Sequence, residues 1–600
     1  MVLQDETGAT GAAITTDKQS DAHGGVQTLG IGALASAGLA ACGGGGSATE
    51  PVSNTPVIAG TNITINLNGF TQVVSVAGPQ VRRFLLQAQL SASDADIASV
   101  RSMGYVRWIE NQVATPSGVL GWDWLNAQGY GDVNSSSNFY DNTYPGDYMV
   151  WSQLITAPDA PRKRMALALS EIFVVSLSGL SFNWRSHAAA HYWDTLNTHA
   201  FGNYRDLLGA MTLNVAMGYY LNTKGNKKAD GKGSQPDENY AREVMQLFSI
   251  GLVELNADGT PRLDANGNKI DTYSASDISN LAQVLTGYDL DMTGNINTSI
   301  LQTGGGTRNI PTTAFARLPM VQVGTNHSTL EANFLGIKVP ANAKPPDALK
   351  MALDRLFTHS NTAPFICKQL IQRLVTSNPS AAYVARVAAV FVDNGVGVRG
   401  SLAHVYAAIL LDDEARGPSG LSDPQFGTLR EPILRLVQWG RTFGATSIAG
   451  TWKIGDLSNA GSQLGQSPLR APSVFNFFRP GYVPPATALS AGAVAPEFQL
   501  VNESSVGGYL NYLQSVISNG ISSGDIKAAY VTELAMVADT GALLARLNLL
   551  LCAGQLSSAS QALILSALNA MVITTDLQKR NRVYAAVLMV MASADYLVQK

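Results

Sequence analysis

A chain of 600 residues with 46% hydrophobic and only 14% charged side chains can hold one very large domain or several ordinary ones, and its surface must rely on uncharged polar residues. The net charge is −4 and the pI about 6.0, with no run of five or six like charges, which excludes the basic stripe that a nucleic-acid groove needs. Three cysteines, Cys42, Cys367 and Cys552, form no CxxC and no metal-thiolate spacing. The low charge content favours an exported protein.

The first element in chain order is "LGIGALASAGLAAC" (29–42). Its apolar run is too short to cross a hydrocarbon core of ~30 Å, but it fits the h-region of a signal peptide. Leu39-Ala40-Ala41-Cys42 resembles a bacterial lipobox, which makes Cys42 the expected lipidation site and residues 1–42 a signal segment. The only membrane association this implies is an N-terminal lipid anchor. The n-region is atypical, with Lys18 outnumbered by Asp5, Glu6, Asp17 and Asp21. A flexible tether follows at 43–60. Ile63, Ile65 and Leu67 then alternate up to Asn68-Gly69, the pattern of a β-hairpin over 61–78.

From Pro79 the hydrophobic period becomes helical. Helices are expected at 91–112, with Ser93 as N-cap, and at 161–179, opened by Pro161. More follow at 203–221, 236–250, 274–287, 346–358, 361–376, 379–394, 398–412 and 428–443. The last set is 505–518, 524–537, 539–552, 557–571 and 576–598. Residues 252–274 read as a protruding hairpin with Asp-Gly and Asn-Gly turns, and "GNKKADGKG" (225–233) as a solvated loop. The stretches 115–150, 292–345 and 445–500 read as long irregular loops. No fixed repeat and no clear linker after residue 78 divide the chain. The expected fold is therefore mainly α: one large multi-helix domain over 79–600, a short N-terminal β-hairpin, one inserted β-hairpin and long irregular loops.

Three of the seven histidines fall in "SHAAAHYWDTLNTH" (186–199). On a helix His187, His191 and Asp194 share a face about 60° wide. Ala189, Trp193, Leu196 and Ala200 lie opposite, so the polar face is expected to meet solvent or a polar cleft; His199 sits on neither face. Two His at i and i+4 with a carboxylate could ligate a metal, or they could simply be solvated or hydrogen-bonded. Ala188 stands where a zincin carries its general-base Glu, which removes the metalloprotease reading.

In "QPDENYAREVMQLFSIGL" (235–252), Pro236 suits a first helical turn and Asp237 and Glu238 suit the helix dipole. Glu238 and Arg242 form an i,i+4 pair, Tyr240, Val244, Leu247 and Phe248 make the buried stripe, and Gly251 ends the helix. Glu243 lies on the flank of that stripe. It is either paired with a distant Arg or Lys, or an acid/base group with a raised pKa. "GISSG" (520–524) lies between expected helices, so it is a loop and not a nucleophile elbow. "DANGNKID" (264–271) has Lys269 and Ala275 where a calcium loop needs Gly and Glu. There is no P-loop or dinucleotide fingerprint. Cys367 and Cys552, embedded in apolar pattern, read as small hydrophobes.

The segment "PDENYAREVMQLFSIGL" resembles the bacterial domain-of-unknown-function 1800 family, as do "RMALALSEIFVVS" (164–176), "HAFGNYRDLLGAMTLNVAMGYYLN" (199–222), "YSASDISNLAQVLTGY" (273–288), "LREPILRLVQWGR" (429–441) and "LRAPSVFNFFRPGY" (469–482). With the agreeing stretches at 81–112 and 592–600, the resemblance covers about residues 80–600. It implies a mainly helical, often exported protein, and an exported sulfatase-like protein as partner. It carries no known activity or cofactor. The family pattern covers Glu238, Asn239, Tyr240, Arg242 and Glu243, with His199 and Arg205 before them. Two functions are therefore expected. One is an exported, lipid-anchored helical protein that assembles with an envelope or extracellular partner. The other is an envelope hydrolase using Glu238, Glu243 and Arg242 with His199 or His191. The discriminator is whether these groups converge on a concave, partly apolar pocket or pair off as ion pairs.

Overall fold

In the computed structural model, residues 58–66, 77–302, 304–485, 487, 489 and 493–600 are described. The expected signal segment with Cys42, most of the expected tether and the Asn68-Gly69 turn lie outside them. Residues 61–66 form no strand; Thr61 and Ile65 instead hydrogen-bond Val113 O and Glu110 Oε1 on the helix Tyr105–Ala114.

Among the described residues 24 α-helices form, and every strand belongs to a two-stranded antiparallel pair. The fold is mainly α. The described residues belong to one compact unit, Thr55–Lys600.

Local chemistry sets most helix ends. Ser93 and Asp96 form a reciprocal capping box, as expected for that N-cap. The helix expected over 91–112 is cut into Asp94–Met103 and Tyr105–Ala114 by Gly104, whose φ of 82° only glycine adopts without strain. The one expected over 203–221 is cut into Tyr204–Thr212 and Val215–Tyr220, because Asn214 Oδ1 accepts from Ala216 N and Met217 N and starts a new helix.

Some other expectations fail, and some hold. The helix at 236–250 shrinks to Asn239–Gln246, leaving Pro236 outside it. The one at 161–179 ends at Ser170, and 524–537 keeps only Val531–Ala535 after Tyr530 at φ 50°. The stretch 115–150 contains the helix Gly121–Ala127 and the start of Tyr144–Thr156. The stretch 292–345 contains the hairpins Asn297–Leu301/Thr307–Pro311 and Ala332–Phe334/Ile337–Val339. The 252–274 hairpin is present as the exposed bridges Val253–Asp271, Leu255–Pro261 and Leu263–Lys269. Cys367 and Cys552 are buried free thiols.

The helix Arg185–His199 is the hub. It packs against Gly121–Ala127, Tyr144–Thr156, Ala160–Ser170, Tyr204–Thr212, Val215–Tyr220 and the 3-10 turn Thr313–Arg317. Ala188, Ala189, Ala190, Tyr192, Trp193 and Leu196 are all fully buried, while His191 in the same turns is partly exposed. Two of the helix's aromatic polar groups are satisfied inside the protein: Trp193 Nε1 donates to Gln153 Oε1 at 2.9 Å and Tyr192 Oη to Phe173 O at 2.6 Å.

Candidate functional site

The polar face of the hub helix splits into two environments. His187 is 1% exposed and lies edge-on to both Trp122 and Trp184, with Nε2 3.2 Å from Asn126 Oδ1. Burial pushes its pKa down to about 3. Asp194 accepts from Gly121 N at 2.7 Å and Trp122 N at 2.9 Å, so it caps a neighbouring helix. Gly121 is required by that approach: a Cβ there would meet Met149 Sδ at 2.6 Å and Asp194 Oδ1 at 3.2 Å. Burial raises Asp194 to about 6, opposed by the two backbone N–H groups and Lys163.

His187, His191 and Asp194 therefore do not converge as a ligand set. Among the described residues no three His, Cys, Asp or Glu side chains are arranged to hold a metal ion. The physical reason is that Asn126 engages His187 and the helix Gly121–Ala127 engages Asp194.

His191 does face a cleft. With Asp194, Thr195, Thr198 and His199 it forms one wall of a cavity of ≈ 430 Å³, closed by Leu120, Trp122, Asp123, Gly209, Ala210, Leu213, Asn214, Arg317 and Pro319. The hub helix supplies the wall, the Gly121–Ala127 helix supplies Trp122 and Asp123, and the Thr313–Arg317 turn brings Arg317 over the Trp122 ring at 5.4 Å. The ring nitrogens of His191 and His199 make no hydrogen bond among the described residues. Burial and the Arg317 cation push His191 down to about 4, and burial pushes His199 down against Asp206. Burial raises Asp123, opposed by Arg317; its Oδ2 is buried without a partner, as is Asn214 Nδ2 in the same wall. Near neutral pH the cleft thus presents two neutral imidazoles, two carboxyl groups and an exposed guanidinium on mostly apolar walls.

The other expected site residues lie elsewhere. Glu238 pairs with Arg242 at 3.3 Å and accepts from Ser279 Oγ at 2.5 Å, on a second cavity of ≈ 410 Å³ that includes Lys228, Gln235, Gln283 and Ser328. Arg205 pairs with Asp354 at 2.7 Å. Glu243 is 7% exposed, makes no ion pair among the described residues, and has an orphaned Oε2. Burial raises its pKa against the pull of Arg242, but it lines neither cavity. Glu238, Glu243 and Arg242 are thus not gathered with His199. Sequence reading missed Asp123, Asn214 and Arg317. Two sit in stretches read as irregular and one inside an expected helix, and no local pattern marks them as neighbours of His191.

A second polar feature is sealed in the core. Glu171 contacts Arg373 at 3.2 Å, and Glu431 accepts from Gln466 Nε2 at 2.5 Å. Burial and the neighbouring Glu431 raise Glu171 well above the carboxylate range, while Arg373 and Arg164 oppose them.

A family model described as protein of unknown function (DUF1800) matches residues 83–598. No curated protein and no solved structure matches the chain. The chain belongs to the DUF1800 family.

Proposed function

We propose, starting from membership of a family without known function, that this protein is an exported, lipid-anchored envelope hydrolase whose working site is the His191 cleft. The observation that carries the reading is the meeting of His191, His199, Asp123 and Arg317 on one concave, mostly apolar cavity. His191 is neutral near pH 7 and its ring has no hydrogen-bond partner among the described residues, so it can take a proton from water. The water oxygen attacks an acyl carbon, the bond to the leaving oxygen breaks, and the imidazolium returns the proton to that oxygen. Arg317, at the rim, suits a substrate carrying a negative charge, and Trp122 supplies an apolar surface beside it.

The test is turnover of chromogenic acyl esters with and without a carboxylate group, by wild type and by His191→Gln. Turnover of the anionic ester that falls by about 100-fold in the variant supports the reading. Turnover unchanged in His191→Gln sinks it.

A second reading, assembly with an exported partner such as a sulfatase-like protein, is favoured by Leu252 and Leu263. Both are more than half exposed, at the base and in the body of the projecting 252–274 hairpin. Co-purification with and without a Leu252→Ser/Leu263→Ser pair tests it; retention of a partner by the double variant speaks against this surface.

A further inference from the structure

Away from the cleft, a cavity of ≈ 280 Å³ opens between the helix Pro432–Thr442, the helix Glu503–Asn519 and the C-terminal turn Ala594–Leu597. Its walls are apolar, with Leu464, Phe498, Leu510 and Leu597 among them. Val501 and Val506, 43% and 49% exposed, extend that apolar surface to the outside. One charged side chain lines it: Arg435, 7% exposed.

Arg435 is one of five buried arginines that make no ion pair among the described residues, with Arg83, Arg164, Arg430 and Arg582, and it is the one that lines this cavity. Arg373 and Arg470 sit against Glu171 and Asp147. Arg435 makes no ion pair among the described residues. Its Nε donates to Arg430 O at 2.6 Å and its guanidinium lies 4.7 Å from the Tyr509 ring centroid. The charges that act on it are those of Tyr509, Tyr596 and Arg430, none of them a carboxylate. A buried guanidinium is costly unless an anion meets it, and its fork of N–H donors matches a carboxylate. The walls match an alkyl chain.

We propose that this cavity is a binding site for a straight-chain fatty acid, its carboxylate on Arg435 and its chain along Leu464, Phe498 and Leu510. Charge complementarity selects this occupant: an alcohol or a cationic amphiphile of the same length would leave Arg435 without an anion. The site is independent of the His191 cleft and stands or falls separately.

Calorimetric titration of the full chain with dodecanoate, dodecanol and dodecyltrimethylammonium, below their micelle concentrations, tests it. Dodecanoate is expected to bind one-to-one and at least about tenfold tighter than dodecanol, with the ammonium compound weakest. Leu510→Trp, which fills the cavity, should abolish binding, and Arg435→Gln should erase the preference for dodecanoate over dodecanol. The wild-type preference is readable even where Arg435→Gln does not fold. Equal affinity for dodecanoate and dodecanol overturns the proposal, as does dodecanoate binding that survives Leu510→Trp. Tighter binding of an apolar peptide through its C-terminal carboxylate would overturn the fatty-acid assignment.

Discussion

Replacing Asp194 separates a helix cap from a metal ligand. Its two oxygens accept from Gly121 N and Trp122 N, at 2.7 and 2.9 Å. Alanine orphans two buried N–H groups, each worth ~1–3 kcal/mol. It also removes a buried charge whose pKa is raised from 3.8 to about 6, a shift of 2.2 that corresponds to about 3 kcal/mol at neutral pH. The balance for Asp194→Ala is a local loss of about 1 kcal/mol. Asparagine keeps one acceptor and also removes the buried charge, so Asp194→Asn should lie within about 1 kcal/mol of wild type. Hydrogen exchange at Gly121 and Trp122 reads this directly: about fivefold faster exchange in the alanine variant, and no acceleration in the asparagine variant. A metal ligand would behave otherwise, with Asn as damaging as Ala. That outcome, or wild-type exchange in Asp194→Ala, refutes the capping role.

Other outcomes follow from the same geometry. If neutral His191 is the base, the acid limb of kcat/KM lies near pH 4, and Arg317→Met moves it up towards 6.5 by removing a cation that pushes His191 down. A limb that stays in place in Arg317→Met contradicts this. His187, held near 3 against 6.5 in the unfolded chain, binds fewer protons folded than unfolded; its stability contribution is present above 6.5 and lost as pH falls towards 3. His187→Phe should therefore flatten the dependence of stability on pH in that window by up to about 1.4 kcal/mol per pH unit, seen in urea titrations at stepped pH. The half-exposed Glu238–Arg242 pair is worth ~0.5 kcal/mol or less, so Arg242→Ala should leave the melting temperature almost unchanged.

What the sequence made legible was local. Ser93 could be read as a cap because its partner Asp96 is three residues away, and the Glu238–Arg242 pair because both lie on one helical turn. The class of the fold followed from the long run of helical periods. The strands at Asn297–Leu301 and Thr307–Pro311 stayed hidden because they are largely exposed and their residues, NTSIL and TRNIP, do not alternate apolar with polar. Tyr144–Thr156 was hidden by Pro145 and Gly146, which read as loop but occupy the tolerant first turn of a helix. On the hub helix the expected polar face does meet a cleft through His191 and Asp194, while His187 on the same face is buried between Trp122 and Trp184. The cleft depends on Arg317 meeting a helix more than a hundred residues earlier in the chain, and no spacing rule carries that information.

The most direct measurement compares two single variants on the same anionic ester. His191→Gln should lower kcat/KM by about 100-fold, whereas Glu243→Gln, which lines no part of the cleft, should stay within about threefold of wild type. A loss confined to Glu243→Gln would contradict the His191 site and return the chemistry to the carboxylates of the 235–252 segment.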